Sequence, residues 1–177
     1  ERFGGYDLGV NYDRDFGPWS LALIALANRR HYANDENGRF EDGLGNLDST
    51  FAQAIRQDTG ETILRGALSR ALGPSQRIEL GGEGAFNSLD QSLSFVEDNG
   101  GGPVVVSIPN SNVLIEEERA ELFGSHTWRP AQNWSVESRL AWETSTLTFS
   151  GDADQSVELS YWKPSLQVSR TFAGNNQ

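Results

Sequence analysis

Taken two residues at a time, the chain separates into long segments in which apolar and polar side chains alternate, as expected of strands with one dry face and one wet face. Tyr6, Leu8, Val10 and Tyr12 share one parity, while Asp7, Gly9, Asn11 and Asp13 share the other. Further along, Ile78, Leu80, Gly82, Gly84 and Phe86 alternate with Arg77, Glu79, Gly81, Glu83, Ala85 and Asn87. Trp134, Val136, Leu140 and Trp142 likewise alternate with Ser135, Glu137, Arg139 and Glu143. The wet parity carries full charges and not merely hydroxyls.

The pattern predicts seven strands, at 2–13, 18–32, 50–72, 76–96, 112–128, 133–148 and 156–172. Tight turns are expected at Arg14 to Pro18, Gly73 to Ser75, Arg129 to Asn133 and from Ala173 onward; polar loops at Ala33 to Ser49, Glu97 to Ser111 and Ser150 to Gln155. Short turns thus alternate with longer loops. Leu21 to Ala27 is apolar at both parities, and Trp19 selects the odd positions as its apolar face. Ile115 to Phe123, with Glu116, Glu117, Glu118 and Glu121, has helix propensity, but its flanks alternate and it is read as strand.

The spacing of the aromatic residues narrows the picture. A lipid-facing band in a membrane barrel is about 25 Å tall with aromatic rings at both interfaces. Eight residues of tilted strand rise roughly 21 Å. Trp134 to Trp142 and Ile78 to Phe86 are eight-residue steps on one parity, and Trp162 to Phe172 is ten. Trp19, Phe86, Trp128, Trp134, Trp142, Trp162 and Phe172 are therefore the expected outward girdle. Arg70, His126 and Arg170 each stand two residues from a strand end (Leu72, Trp128 and Phe172), where a basic side chain can snorkel to water. The opposite parity assigns Arg65, Glu79, Glu83, Arg119, Glu137, Arg139 and Glu143 to a polar interior. Centring the hairpins on their turns pairs Arg119 with Glu143, Phe123 with Arg139, Arg65 with Ala85 and Ala67 with Glu83.

Composition sharpens this and removes other classes. A net charge of -11 argues against a nucleic-acid partner, which needs a basic footprint. No cysteine is present, which excludes disulfides and thiolate chemistry, and two histidines leave little for a metal site. No apolar run approaches the roughly 20 residues of a spanning helix, a test to which strands of a barrel are blind.

Two runs carry a family resemblance. Arg77-Ile-Glu-Leu-Gly-Gly-Glu-Gly-Ala-Phe-Asn-Ser-Leu-Asp90 and Tyr161-Trp-Lys-Pro-Ser-Leu-Gln-Val-Ser-Arg-Thr-Phe172 resemble barrel strands of TonB-dependent outer-membrane receptors. The strand, turn, strand rhythm of Glu118 to Thr148 is similar. The resemblance covers most of Leu64 to Phe172 and implies an all-β, antiparallel up-and-down transmembrane barrel of the bacterial outer membrane. It further implies a plug domain, the TonB protein acting through that plug, outer-membrane lipid as surroundings, and import of a scarce small-molecule ligand such as a siderophore, cobalamin or saccharide. Neither a plug nor a TonB-contacting box is recognised here, so residues 1–177 are expected to be an internal piece of barrel wall. A passive porin or small outer-membrane barrel, and a soluble β-sandwich carbohydrate-binding module, are the alternatives.

No catalytic role, cofactor or metal site is assigned. Glu79 with Glu83, and Glu137 with Glu143, could suggest acid–base work, but their even spacing beside arginines fits a polar wall better. Asp35, Glu36, Glu41, Asp42 and Asp48 read as a solvated loop without calcium-loop spacing. His31 and His126 lack ligand-spaced partners. Asn133-Trp-Ser135 matches a glycosylation acceptor by chance in a tight turn. Gly81, Gly82 and Gly84 are read as sites of strand curvature or close packing. Phe40 and Phe149, placed in loops, are the candidate ligand contacts.

Overall fold

The computed structural model describes residues 1–152 and 154–172. Among the described residues it is all-β: one antiparallel sheet, not closed, and without helix. The strands are β1 (Arg2–Phe16), β2 (Trp19–Glu41), β3 (Leu47–Gly73), β4 (Gln76–Asp98), β5 (Val104–Val106), β6 (Asn112–Trp128), β7 (Trp134–Gly151) and β8 (Gln155–Arg170). Their spatial order is β1-β2-β3-β4-β6-β7-β8, an up-and-down meander, with β5 added beside the far end of β4. The seven expected strands are all present, and the Glu-rich segment is β6.

The differences lie at the loop ends. The segment expected to be a loop at 33–49 is mostly ladder: β2 continues to Glu41, β3 starts at Leu47, and only Asp42–Asn46 turns. Phe40 therefore lies in β2 and Phe149 in β7, so neither candidate contact is in a loop. The loop at 97–111 contains β5, which pairs with Phe95–Glu97 where β6 no longer reaches. At the opposite ends the turns are short. Gly17 takes a φ of 59° ahead of Pro18, the positive first position of a primed two-residue hairpin turn. The turn expected from Ala173 onward lies outside the described residues.

The registers also differ from expectation, each by two residues. Arg65 pairs with Glu83 and Ala67 with Gly81, because Pro74–Ser75 forms the turn and the ladder shifts between Ala71 and Gly73. Trp128 pairs with Val136, so Arg119 faces Ser145, Phe123 faces Ala141 and Glu121 faces Glu143. A slip of two leaves every side chain on its expected face, since the pleat repeats every two residues.

Side-chain parity is continuous across the sheet. One rung runs Asn11, Ile24, Arg65, Glu83, Glu121, Glu143, Tyr161; its neighbour runs Tyr12, Leu23, Gly66, Gly82, Leu122, Trp142, Trp162. The second rung places the odd positions of β2 with the other apolar residues. The charged face is the sheltered one: Glu143 and Phe123 are each 5% exposed, whereas Leu80 and Leu166 on the apolar face are 58% and 70% exposed. Side chains two strands apart also meet on the charged side, Lys163 of β8 with Glu121 of β6 and Arg65 of β3 with Phe123 of β6. A sheet curls toward the face whose side chains converge, so the charged face is concave. Backbone packing joins ladder neighbours only, and among the described residues no second layer covers the exposed leucines.

Candidate functional site

The concave face holds a connected ionic network. Arg65 Nη1 donates to Glu83 Oε2 at 3.3 Å and its Nη2 stands 4.0 Å from Glu79 Oε1, while Arg119 donates to Glu83 Oε1 at 3.1 Å. Arg139 donates to Glu121 at 2.5 Å, and Lys163 bridges Glu121 and Glu143, the latter at 2.7 Å. The Tyr161 hydroxyl donates to Glu143 as well. Phe123 ties the two halves together, with the Arg65 guanidinium 4.4 Å and the Arg139 guanidinium 4.1 Å from its ring centroid. Each cation gains from the quadrupole of the ring while pairing with its own carboxylates.

Six of the seven polar residues assigned to the interior thus join one cluster. Glu137 shares their face but lies nearer the turns, in a recess with Arg77, Thr127 and Arg129. Sequence reasoning missed Glu121, Tyr161 and Lys163 as members, while it set Phe123 beside Arg139 on this face; the parity of the three matches that of Arg119 and Glu143, which was the available signal. Four cations and four carboxylates balance within the cluster, although the chain carries -11. Among the described residues no buried side-chain polar atom lacks a hydrogen-bond partner. The network is a neutral, cross-braced wall, with no nucleophile set against a base.

The convex face carries an apolar belt bounded by aromatics. Toward the turns stand Trp19, Trp128 and Trp134, with Phe172 just past β8; toward the loops stand Phe86, Trp142 and Trp162. The belt crosses the rungs obliquely. Following ladder partners from Trp19 leads to Ser138 and Leu166, yet the boundary residues on those strands, Trp134 and Arg170, lie four residues further toward the turns. From Tyr6 at the other boundary the rung leads to Thr148 and Ser156, whereas Trp142 and Trp162 lie six residues toward the turns. Both boundaries slip in the same direction. Over five inter-strand steps to β8 for the first boundary and six for the second, this corresponds to a tilt of roughly 30–35° between strands and belt normal.

Beyond the belt, β2, β3 and β4 continue as a long projection. On its concave side Phe51 lies between Phe40 (5.2 Å between centroids, 32° apart) and Phe95 (5.6 Å, 14°). Phe40 thus belongs to an aromatic stack at the projecting end, and Phe149, on the same face of β7, does not join it. A cleft of about 620 Å³ opens where residues 107–111 turn back against β3 and β4, lined by Arg56, Ser92, Phe95, Asn110 and Asp152 among others. The Asp152 carboxyl is held below the usual aspartate range chiefly by the Asn112 amide, 3.0 Å away.

No family model matches this sequence, and a search of curated proteins returned no match.

Proposed function

We propose that this chain is part of the wall of an outer-membrane β-barrel, and that the whole protein is a TonB-dependent receptor importing a scarce ligand. The carrying observation is the oblique belt. A hydrocarbon slab has fixed thickness, so on tilted strands both of its boundaries must climb the rungs together, and here they do. The estimated tilt lies close to the 35–45° of outer-membrane barrels. A soluble sandwich would cover Leu80, Leu122 and Leu166 with a second sheet and would have no reason to align its aromatics obliquely. The charged concave face fits a hydrated bore or a polar plug, and the projecting β2–β4 hairpins fit a ligand-capturing exterior.

In this reading lipid surrounds the convex belt, a plug of the same protein rests against the ionic wall, and TonB acts on that plug. The chain's own residues supply support and not chemistry. Site-directed spin labels in the full-length protein test the wall: labels replacing Leu80, Leu122 and Leu166 are to be accessible to oxygen and shielded from a water-soluble nickel complex. Labels replacing Glu137 and Asn87 are to show the reverse, and equal accessibility on both faces refutes the barrel. Transport is tested in cells: the growth benefit conferred by the protein on a scarce nutrient is lost when TonB is deleted. Persistence of the benefit assigns passive diffusion instead.

A further inference from the structure

The turn-side rim of the convex face has a charge pattern opposite to that of the chain. Arg14 stands two residues inside Phe16 on β1, Arg70 two inside Leu72 on β3, His126 two inside Trp128 on β6, and Arg170 two before Phe172. Following the slant of the belt, these four groups lie at one depth. Asp13, Asp15, Glu79 and Glu137, the nearby carboxylates, all belong to the concave parity. The full charges of the rim, Arg14, Arg70 and Arg170, are therefore all positive in a chain with 25 acidic residues and 14 lysines and arginines.

The rim arginines are also unspent. Most basic groups of the polar wall and the projection are in ion pairs, but among the described residues Arg14, Arg70 and Arg170 have no carboxylate within ion-pair distance. Two of them are positioned by aromatics. Arg70 lies 5.5 Å from the Trp19 ring, and Arg170 lies 5.1 Å from Trp134 and 4.7 Å from Phe172. A ring beneath a guanidinium occupies one face and leaves the N–H fork at its edge free to donate. Such a fork matches a phosphate diester.

We infer that this rim is a binding surface for anionic phospholipid headgroups of the leaflet on the turn side, with Arg70 and Arg170 as its principal anchors. The inference rests on the barrel reading and adds a lipid preference to it. Charge complementarity selects the partner: a net-negative headgroup gains from the whole cationic rim, whereas a zwitterionic one brings its own cation into it. Arg14 adds to the field without an aromatic seat.

The test uses the full-length protein in vesicles of phosphatidylcholine mixed with phosphatidylglycerol. A fluorophore attached through Val168→Cys, two residues from Arg170 on the convex face, reports quenching by lipid brominated on one headgroup class at a time. Brominated phosphatidylglycerol is to quench more strongly, with a local preference of roughly fivefold per arginine engaged. Arg70→Gln with Arg170→Gln is to bring the two lipids to parity while strand content and quenching by both are retained. Equal quenching in the unaltered protein, or a preference that survives both substitutions, overturns the lipid assignment but leaves the barrel standing. Absence of quenching by either lipid overturns both.

Discussion

At the scale of single residues, three glycines in one run show how much parity alone conveys. Gly81 is on the concave face, where an added Cβ would meet the Gly66 carbonyl oxygen and the Phe123 ring; Gly84 is on the convex face, with nothing within 4 Å of that position. Gly81→Ala is therefore expected to destabilise the full-length protein by about 1–3 kcal/mol, as overpacking against backbone does. Gly84→Ala is expected to stay within about 0.5 kcal/mol. Denaturant unfolding of the two variants in detergent checks this, and equal effects would remove the packing argument. Strand curvature or close packing is legible in the run itself, but separating its members needs Phe123 across the ladder. The same gap explains Lys163 and Glu121. Their side chains share a parity visible in the sequence, but they meet across two strands, a distance that only the curl of the sheet closes.

At the scale of elements, strand existence and facing were legible, while register and strand ends were not. Alternation is forced wherever one face is dry, so the belt segments announced themselves. Register depends on turn geometry: the shift at Ala71/Gly73 and the one-sided turn before Trp134, whose amide bonds Ala131, consume residues unequally on the two arms. Past the belt neither face has to be apolar, and Asn34 to Gly38 extend β2 through ladder bonds with no sequence alternation to reveal it. The tip of that hairpin is organised by Asp42. Its carboxylate accepts from the Asn46 side chain and from the Asn46 and Leu44 amides, each at 2.8 Å, which lowers its pKa, the Asn46 side chain contributing most. The positive φ of Gly45, 82°, lets the chain turn around it. A lowered folded-state pKa means stabilisation present above the unfolded value, near 3.9, and lost as pH falls through the folded one. The tip should thus stay ordered into mildly acidic solution and loosen below that range, with Asp42→Asn loosening it at neutral pH. Amide exchange at Leu44 and Asn46 reads this directly; protection indifferent to both changes would assign the turn to Gly45 alone.

At the scale of the whole molecule, a single curved layer has no interior of its own. Among the described residues the largest sheltered apolar side chain is Phe123, and the other buried apolar residues are alanines such as Ala85 and Ala141. Fixing each backbone residue costs about 1–2 kcal/mol, which a soluble domain offsets by packing two layers together. In the barrel proposed above, the compensation comes from outside: hydrocarbon on the convex face, and ladder partners for the two open edges. β1 is exposed along all fifteen residues, with Phe3 71% and Val10 65% exposed, and its free N–H and C=O groups form a template for another strand. Residues 1–177 produced alone are accordingly expected to associate in water through β1 and β8 and to enter detergent only as mixed oligomers. Sedimentation velocity in detergent-free buffer distinguishes the outcomes. A monodisperse species at the mass of one chain, with cooperative thermal unfolding, would mean that this layer stabilises itself, and neither the oblique belt nor the cationic rim would then require a membrane.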